Sequence, residues 1–162
     1  MKWSGFCPLA TVLLLGLACA PEEPLDAHAL LASTPSAVQA RLGDPKQYRE
    51  ETEKHMGFMR WEDVGGVKLF AAIKQGKIVY VTYNFAAMEP FDEAEAFRTI
   101  GLDPPQNEPE KIDKSEAKRW RPFGKYARLT VNPATKLISV GAHPFVDFPE
   151  DREYAAGSLP AQ

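Results

Sequence analysis

Three apolar-rich runs, Phe58 to Val64, Val67 to Lys74 and Lys77 to Phe85, follow one another with only Gly65-Gly66 and Gln75-Gly76 between them. Glycine reaches the positive φ that two-residue hairpin turns require, so the pattern predicts a three-stranded antiparallel meander. The succession returns as Ala117 to Arg121, Tyr126 to Val131 and Lys136 to Val140, with Pro122 to Lys125 and Asn132 to Thr135 as longer turns. A helical pattern precedes each meander. Ser33-Thr34 offers an N-cap, Pro35 suits the first helical position, Val38 and Leu42 form an i, i+4 apolar pair, and Gly43 closes the run. In the second half Asp92 caps with Glu95 three residues on, Phe97 and Ile100 are apolar, and Gly101 ends the helix. Leu25 to Ala32 suits a further short helix, whereas Tyr48 to Met56 and Asn107 to Lys118 show no decisive period.

The halves match at a shift of 59 residues without a gap: between Ala37 and Val81, ten of 45 positions are identical to their counterparts. Asp44-Pro45 falls on Asp103-Pro104, Arg60-Trp61 on Arg119-Trp120, Gly65 on Gly124, and Lys77-Ile78-Val79 on Lys136-Leu137-Ile138. Ordinary composition would match about one position in twenty, so a duplicated supersecondary unit is the expectation. The predicted fold class is α+β: two tandem helix-plus-three-stranded meander units forming one helix-on-sheet domain.

Two-residue turns set register, and they place Trp61 opposite Phe70 and Phe70 opposite Val81, with Trp120, Leu129 and Val140 as the equivalent row. That side, with Ala72 and Val79 answered by Val131 and Ile138, is expected to be the core. The other side then holds Leu69, Ala71, Ile73, Ile78 and Tyr80 in the first unit, but Arg128, Thr130, Asn132, Leu137 and Ser139 in the second. An apolar outer face is either covered, by Leu25 to Leu31, the other copy or the C-terminal tail, or it binds a partner. The candidate partner-binding residues are therefore Leu69, Ile73, Ile78 and Tyr80, with Arg60 at the rim.

The N-terminus bears one charge, Lys2, and an apolar stretch from Leu9 to Leu17, which reads as a secretion signal too short to span a membrane. Cleavage before Cys19, as in bacterial lipoproteins, and cleavage after Ala20 both remain open, although Pro21 suits the second poorly. Cys7 lies in the removed segment, so Cys19 has no disulfide partner in an exported chain, and acylation would explain its presence. The expected organisation is a signal peptide (1–18), a tether (19–32), unit one (33–85), unit two (86–145) and a flexible tail (146–162). Cutting before Cys19 leaves 162 − 18 = 144 residues with a balance of 18 − 22 = −4, and no basic run suggests nucleic acid.

Signals for chemistry are sparse. His28, His55 and His143 sit in different segments without a second histidine at ligand spacing, and no serine stands in a Gly-x-Ser-x-Gly setting. The carboxylates at Glu50, Glu51 and Glu53 read as a solvated face, and those at Asp92, Glu93 and Glu95 as a helix start. Neither catalytic residues, nor a metal, nor a cofactor is expected.

The stretch Ser36-Ala37-Val38-Gln39-Ala40-Arg41-Leu42-Gly43-Asp44-Pro45, then Arg60-Trp61, then Gly76-Lys77-Ile78-Val79-Tyr80-Val81, behind a lipoprotein-like signal, resembles the SmpA/OmlA (BamE) lipoproteins. Two such units in tandem are similar to the β-lactamase inhibitor protein (BLIP-like) fold. The resemblance implies a noncatalytic protein-binding domain lipidated at Cys19, and Ala20 after that cysteine points to the outer membrane, facing the periplasm. The expected role is an envelope lipoprotein that scaffolds another envelope protein; the alternatives are a secreted enzyme inhibitor and a hydrolase of unknown type.

Overall fold

A computed structural model describes residues 25–112 and 115–142. Three short helices, α1 (Ala27–Leu30), α2 (Pro35–Leu42) and α3 (Glu93–Thr99), accompany eight strands. The strands are β1 (Gln47–Arg49), β2 (Gly57–Val64), β3 (Val67–Lys74), β4 (Lys77–Asn84), β5 (Glu110–Lys111), β6 (Lys118–Trp120), β7 (Arg128–Asn132) and β8 (Leu137–Gly141). All eight form one antiparallel sheet in the order β1-β2-β3-β4-β8-β7-β6-β5.

This corrects the expected fold class. The chain is not two helix-plus-three-strand units: it is a single continuous sheet with a thin helical cover, because β4 and β8, the last strand of each meander, pair over all of β8 from Tyr80↔Gly141 to Asn84↔Leu137. Pairing the two ends removes two open edges and, among the described residues, leaves β1 and β5 as the edges, three and two residues long. Short polar edge strands are poor templates for further strand addition. Both arise in the charged stretches that lacked a clear period.

The helix ends follow their sequence signals. The Asp26 carboxylate accepts the backbone N–H groups of His28 and Ala29 at 2.7 and 3.2 Å, Thr34 Oγ1 accepts from Ala37, and Asp92 accepts from Glu95 at 3.0 Å. Gly43 and Gly101 close α2 and α3 with φ of 81° and 66°. The buried helical side chains Ala27, Leu30, Val38, Ala96 and Phe97 all join one core with Met59, Trp61, Leu69, Ala71, Ile78, Val81, Tyr83, Leu129, Ile138 and Val140. Among the described residues no helix is long and apolar enough to cross a membrane.

Register in the first half differs from the two-residue-turn expectation. Trp61 pairs with Leu69 and Leu69 with Tyr83, while Phe70 stands on the opposite side between Arg60 and Thr82. Two single-residue irregularities cause this, one in β2 between Trp61 and Val64 and one beside Ala72 and Ile73. Each bulge shifts pairing by one, and a one-residue shift turns the following side chains to the other face. Leu69, Ala71, Ile73 and Ile78 therefore point into the core, and Phe70, Ala72 and Val79 point away from it. The second half keeps the expected row Trp120–Leu129–Val140.

The two tryptophans hold corresponding places. Both are buried, and their indole N–H groups donate to backbone carbonyls of the chain entering the meander, Trp61 to Gly43 at 3.0 Å and Trp120 to Asn107 at 2.9 Å. Matching cross-strand rows gives a shift of 59 from Trp61 to Trp120, 60 from Leu69 to Leu129 and 57 from Tyr83 to Val140. The gapless sequence alignment thus coincides with the structural one only in the Arg-Trp strands.

Candidate functional site

The sheet face turned away from the helices carries the most distinctive arrangement of side chains. Cross-strand pairing lines up Arg49, Phe58, Ala72, Tyr80, Gly141 and Arg128 in one row. The Arg49 guanidinium lies 4.8 Å from the centroid of the Phe58 ring, and that of Arg128 lies 5.4 Å from the centroid of Tyr80. Both distances suit attraction between a cation and the negative face of an aromatic ring. Gly141 separates Arg128 from Tyr80 and makes their contact feasible: a Cβ there would already stand 3.4 Å from Tyr80 Cδ2, so any larger side chain would occupy the space above the ring.

A second row runs through every strand as Gln47, Arg60, Phe70, Thr82, Ser139, Thr130, Arg119 and Glu110. Thr82 and Ser139 share a buried hydroxyl contact of 3.0 Å at the β4–β8 seam. Arg60 and Arg119, the two arginines of the repeated Arg-Trp pair, stand two strands from the seam on either side. Alternation explains them: each tryptophan points to the core, so the preceding arginine points outward. Arg60 bonds Glu62 at 2.7 Å, with Lys68 3.6 Å from the same carboxylate. Neither Arg60 Nε nor Arg119 Nε has a hydrogen-bond partner among the described residues.

Members of both rows join Val79 in a second apolar cluster, Phe70, Ala72, Val79 and Tyr80, which are 4, 4, 2 and 6 % exposed, with Phe58 packed at its margin. Phe58 and Phe70 stack at 5.7 Å between centroids. The Phe58, Arg49, Glu62 and Lys68 side of this face stays partly or fully exposed.

The sequence-predicted partner residues separate. Leu69, Ile73 and Ile78 are 1, 2 and 0 % exposed in the helix-covered core, which removes them from any outer docking surface; the bulge in β2 and the one opposite Ala72 are the physical reason. Arg60 and Tyr80 lie on the outer face. Sequence reasoning missed Arg49, Phe58, Phe70 and Gly141 as site residues; it set Arg128, Thr130 and Ser139 on the outer side of the second unit without joining them to the first, and the alternation Arg60-Trp61 placed Arg60. Cys19 and His143 lie outside the described residues.

On the helix side, Tyr126 is hydrogen-bonded to His28 Nδ1 and ties α1 to the second half of the sheet. Burial, then the Asp26 carboxylate, push the Tyr126 phenol up to about 12. It is therefore protonated at neutral pH. Asp26 caps α1 by accepting the backbone N–H groups of His28 and Ala29 through Oδ1. Tyr83 is wholly buried, its hydroxyl has no partner among the described residues, and burial raises its phenol well above the ordinary value. Glu51, in the stretch expected as a solvated face, accepts the N–H groups of Gln75 and Gly76 at 2.9 and 3.1 Å, which lowers its carboxyl. Among the described residues no three His, Cys, Asp or Glu side chains converge as metal ligands.

No known protein family, curated protein or solved structure matches the chain.

Proposed function

We propose that the chain is a noncatalytic protein-binding module of the bacterial cell envelope, anchored through a lipid on Cys19 and facing the periplasm, probing its partner with the sheet face opposite the helices. The observation that carries this reading is the arginine-flanked aromatic row Arg49–Phe58–Ala72–Tyr80–Gly141–Arg128. Arginine and aromatic residues are enriched where interfaces concentrate their binding energy, since both offer large contact area with directional electrostatics. The likeness of the Leu42-Gly43-Asp44-Pro45 and Arg60-Trp61 motifs to SmpA/OmlA lipoproteins supports the same role, and the secretion signal ahead of Cys19 supports the location.

The test uses the full-length protein expressed in an envelope-bearing bacterium. Crosslinking and affinity purification of the parent, of Phe58→Ser/Arg60→Glu, and of Arg98→Glu as a helix-side control should recover a partner with the parent and the control but not with the double variant. Equal recovery from all three would overturn the docking face. Mass spectrometry of the mature N-terminus reports separately on anchoring: a diacylglyceryl mass on Cys19 is expected, and an unmodified chain starting at Pro21 contradicts it.

A further inference from the structure

The second apolar cluster poses a question of cover. Phe70, Ala72, Val79 and Tyr80 are at most 6 % exposed, yet among the described residues every buried helical side chain belongs to the other face. We infer that residues 143–153 of this same chain are the resident occupant of the outer face, a built-in ligand seated where the partner docks.

Three observations favour that segment. The first is where the described chain ends: Ala142 donates its N–H to the carbonyl of Val79, a member of the cluster, at 2.8 Å. The second is reach. From Ala142, in line with β8, to Phe58 on β2 is three inter-strand steps, about 14 Å, within reach of Phe148. Phe145 and Phe148, three and six residues beyond Ala142, have about 10 and 20 Å of extended chain.

The third is complementary chemistry. The segment His143-Pro144-Phe145-Val146-Asp147-Phe148-Pro149-Glu150-Asp151-Arg152-Glu153 combines apolar Phe145, Val146 and Phe148 with four acidic residues and one arginine, a balance of 1 − 4 = −3. The face it would meet combines aromatic rings with Arg49, Arg60, Arg119 and Arg128 against Glu62 and Glu110. Aromatic-plus-acidic matches aromatic-plus-basic, and opposite charges in register select one partner over another more than they tighten it. A covalently attached occupant also acts at an effective concentration in the millimolar range, so weak contacts suffice to seat it.

The inference rests on the outer face being the docking surface and gives the partner a chemistry: an aromatic, acidic segment that competes with the chain's own tail. The tail then sets a threshold, because only a tighter or locally concentrated segment displaces it.

A photoreactive phenylalanine placed at Phe148 in the full-length mature protein tests occupancy. Irradiation should join it, within one chain, to peptides containing Phe58 to Arg60 or Phe70 to Ala72, and Arg60→Glu with Arg128→Glu should abolish that product. The product should also disappear when an excess of a synthetic peptide of sequence 143–153 is added. Crosslinks confined to the helix side, or found only between two chains, overturn the inference, the latter by putting a second copy on the face. A second variant, Phe145→Ser/Phe148→Ser, should give enhanced partner capture over the parent; unchanged capture also counts against it. If the intrachain crosslink forms but no partner is lost on Phe58→Ser/Arg60→Glu, the tail is seated and the docking reading fails. If the crosslink is absent while that loss occurs, docking stands and the resident occupant does not.

Discussion

The Arg128 guanidinium lies 5.4 Å from the centre of the Tyr80 ring, across a strand whose intervening residue is Gly141. The pair crosses the β4–β8 seam, so the contact links the two halves of the chain and depends on a residue without a side chain. Its strength is measurable. A double-mutant cycle with Arg128→Leu and Tyr80→Leu, read by chemical denaturation, should give a coupling of about 1 to 2 kcal/mol, as for a desolvated cation–aromatic pair. Gly141→Val, which thrusts its branches against Tyr80, should destabilise by about 1 to 3 kcal/mol. A coupling indistinguishable from zero would remove the contact from the account.

Leu69 and Ile78 lie in the main core, so truncating them must act on stability. Leu69→Ala or Ile78→Ala should each cost about 2 to 5 kcal/mol in denaturant unfolding. An outward orientation of either residue would leave unfolding almost unchanged, and that result would reverse the face assignment.

Tyr83 offers the opposite expectation. Its hydroxyl is buried without a partner among the described residues, so Tyr83→Phe removes a desolvated polar group and should leave stability unchanged or raise it by about 1 kcal/mol. A clear loss would mean that the hydroxyl is bonded.

Tyr126 and Tyr83 both have phenols raised by burial. A raised folded-state value disfavours the charged form, so the stability these groups contribute is complete below the unfolded value of about 10 and is lost as pH rises through the folded one. For Tyr126 that window runs from there to about 12. Ultraviolet titration should show Tyr126 ionising late, Tyr83 only with unfolding, and Tyr126→Phe narrowing the alkaline loss.

Glu51 gives the acid counterpart. Its carboxylate accepts two turn N–H groups, which hold its folded-state value below the ordinary one. The contribution is present above the unfolded value of about 4.3 and is lost as pH falls through the lowered folded value. Glu51→Gln should lower stability at neutral pH and flatten the profile on the acid side, so that variant and parent converge at low pH. An unaltered acid profile would show that the carboxylate does not hold the β3–β4 turn.

Much of the chain's local structure is legible from its residues. Thr34, Pro35 and Gly43 bound α2 by capping chemistry, Gly65-Gly66 and Gln75-Gly76 mark the turns, and turns of this kind depend on neighbours only a few positions away. The faces of β3 and β4 were not legible, because a bulge changes the count of residues without changing their type: nothing in Glu62-Asp63 or Val79 announces an extra residue. The joining of β4 to β8 was equally hidden. Both strands read as the ends of separate meanders, and only the long-range pairing of Thr82 with Ser139 unites them. The candidate site inherits that difficulty, since Arg49, Tyr80 and Arg128 come together only once register, bulges and seam are known, whereas Arg60 follows from alternation with Trp61 alone.

One sheet runs unbroken from β1 to β5 through the β4–β8 seam, which creates the outer face as a single surface. Thr82 and Ser139 face each other there, with hydroxyls 3.0 Å apart. Directly paired residues of antiparallel strands lie about 4.5 to 5.5 Å apart at Cα, within disulfide range. In the full-length chain carrying Thr82→Cys and Ser139→Cys, mild oxidation of the folded protein should form an intrachain disulfide between those positions in most molecules, identified by peptide mapping. Free thiols at both sites, in protein that unfolds as cooperatively as the parent, would contradict the continuous sheet and the docking surface built upon it.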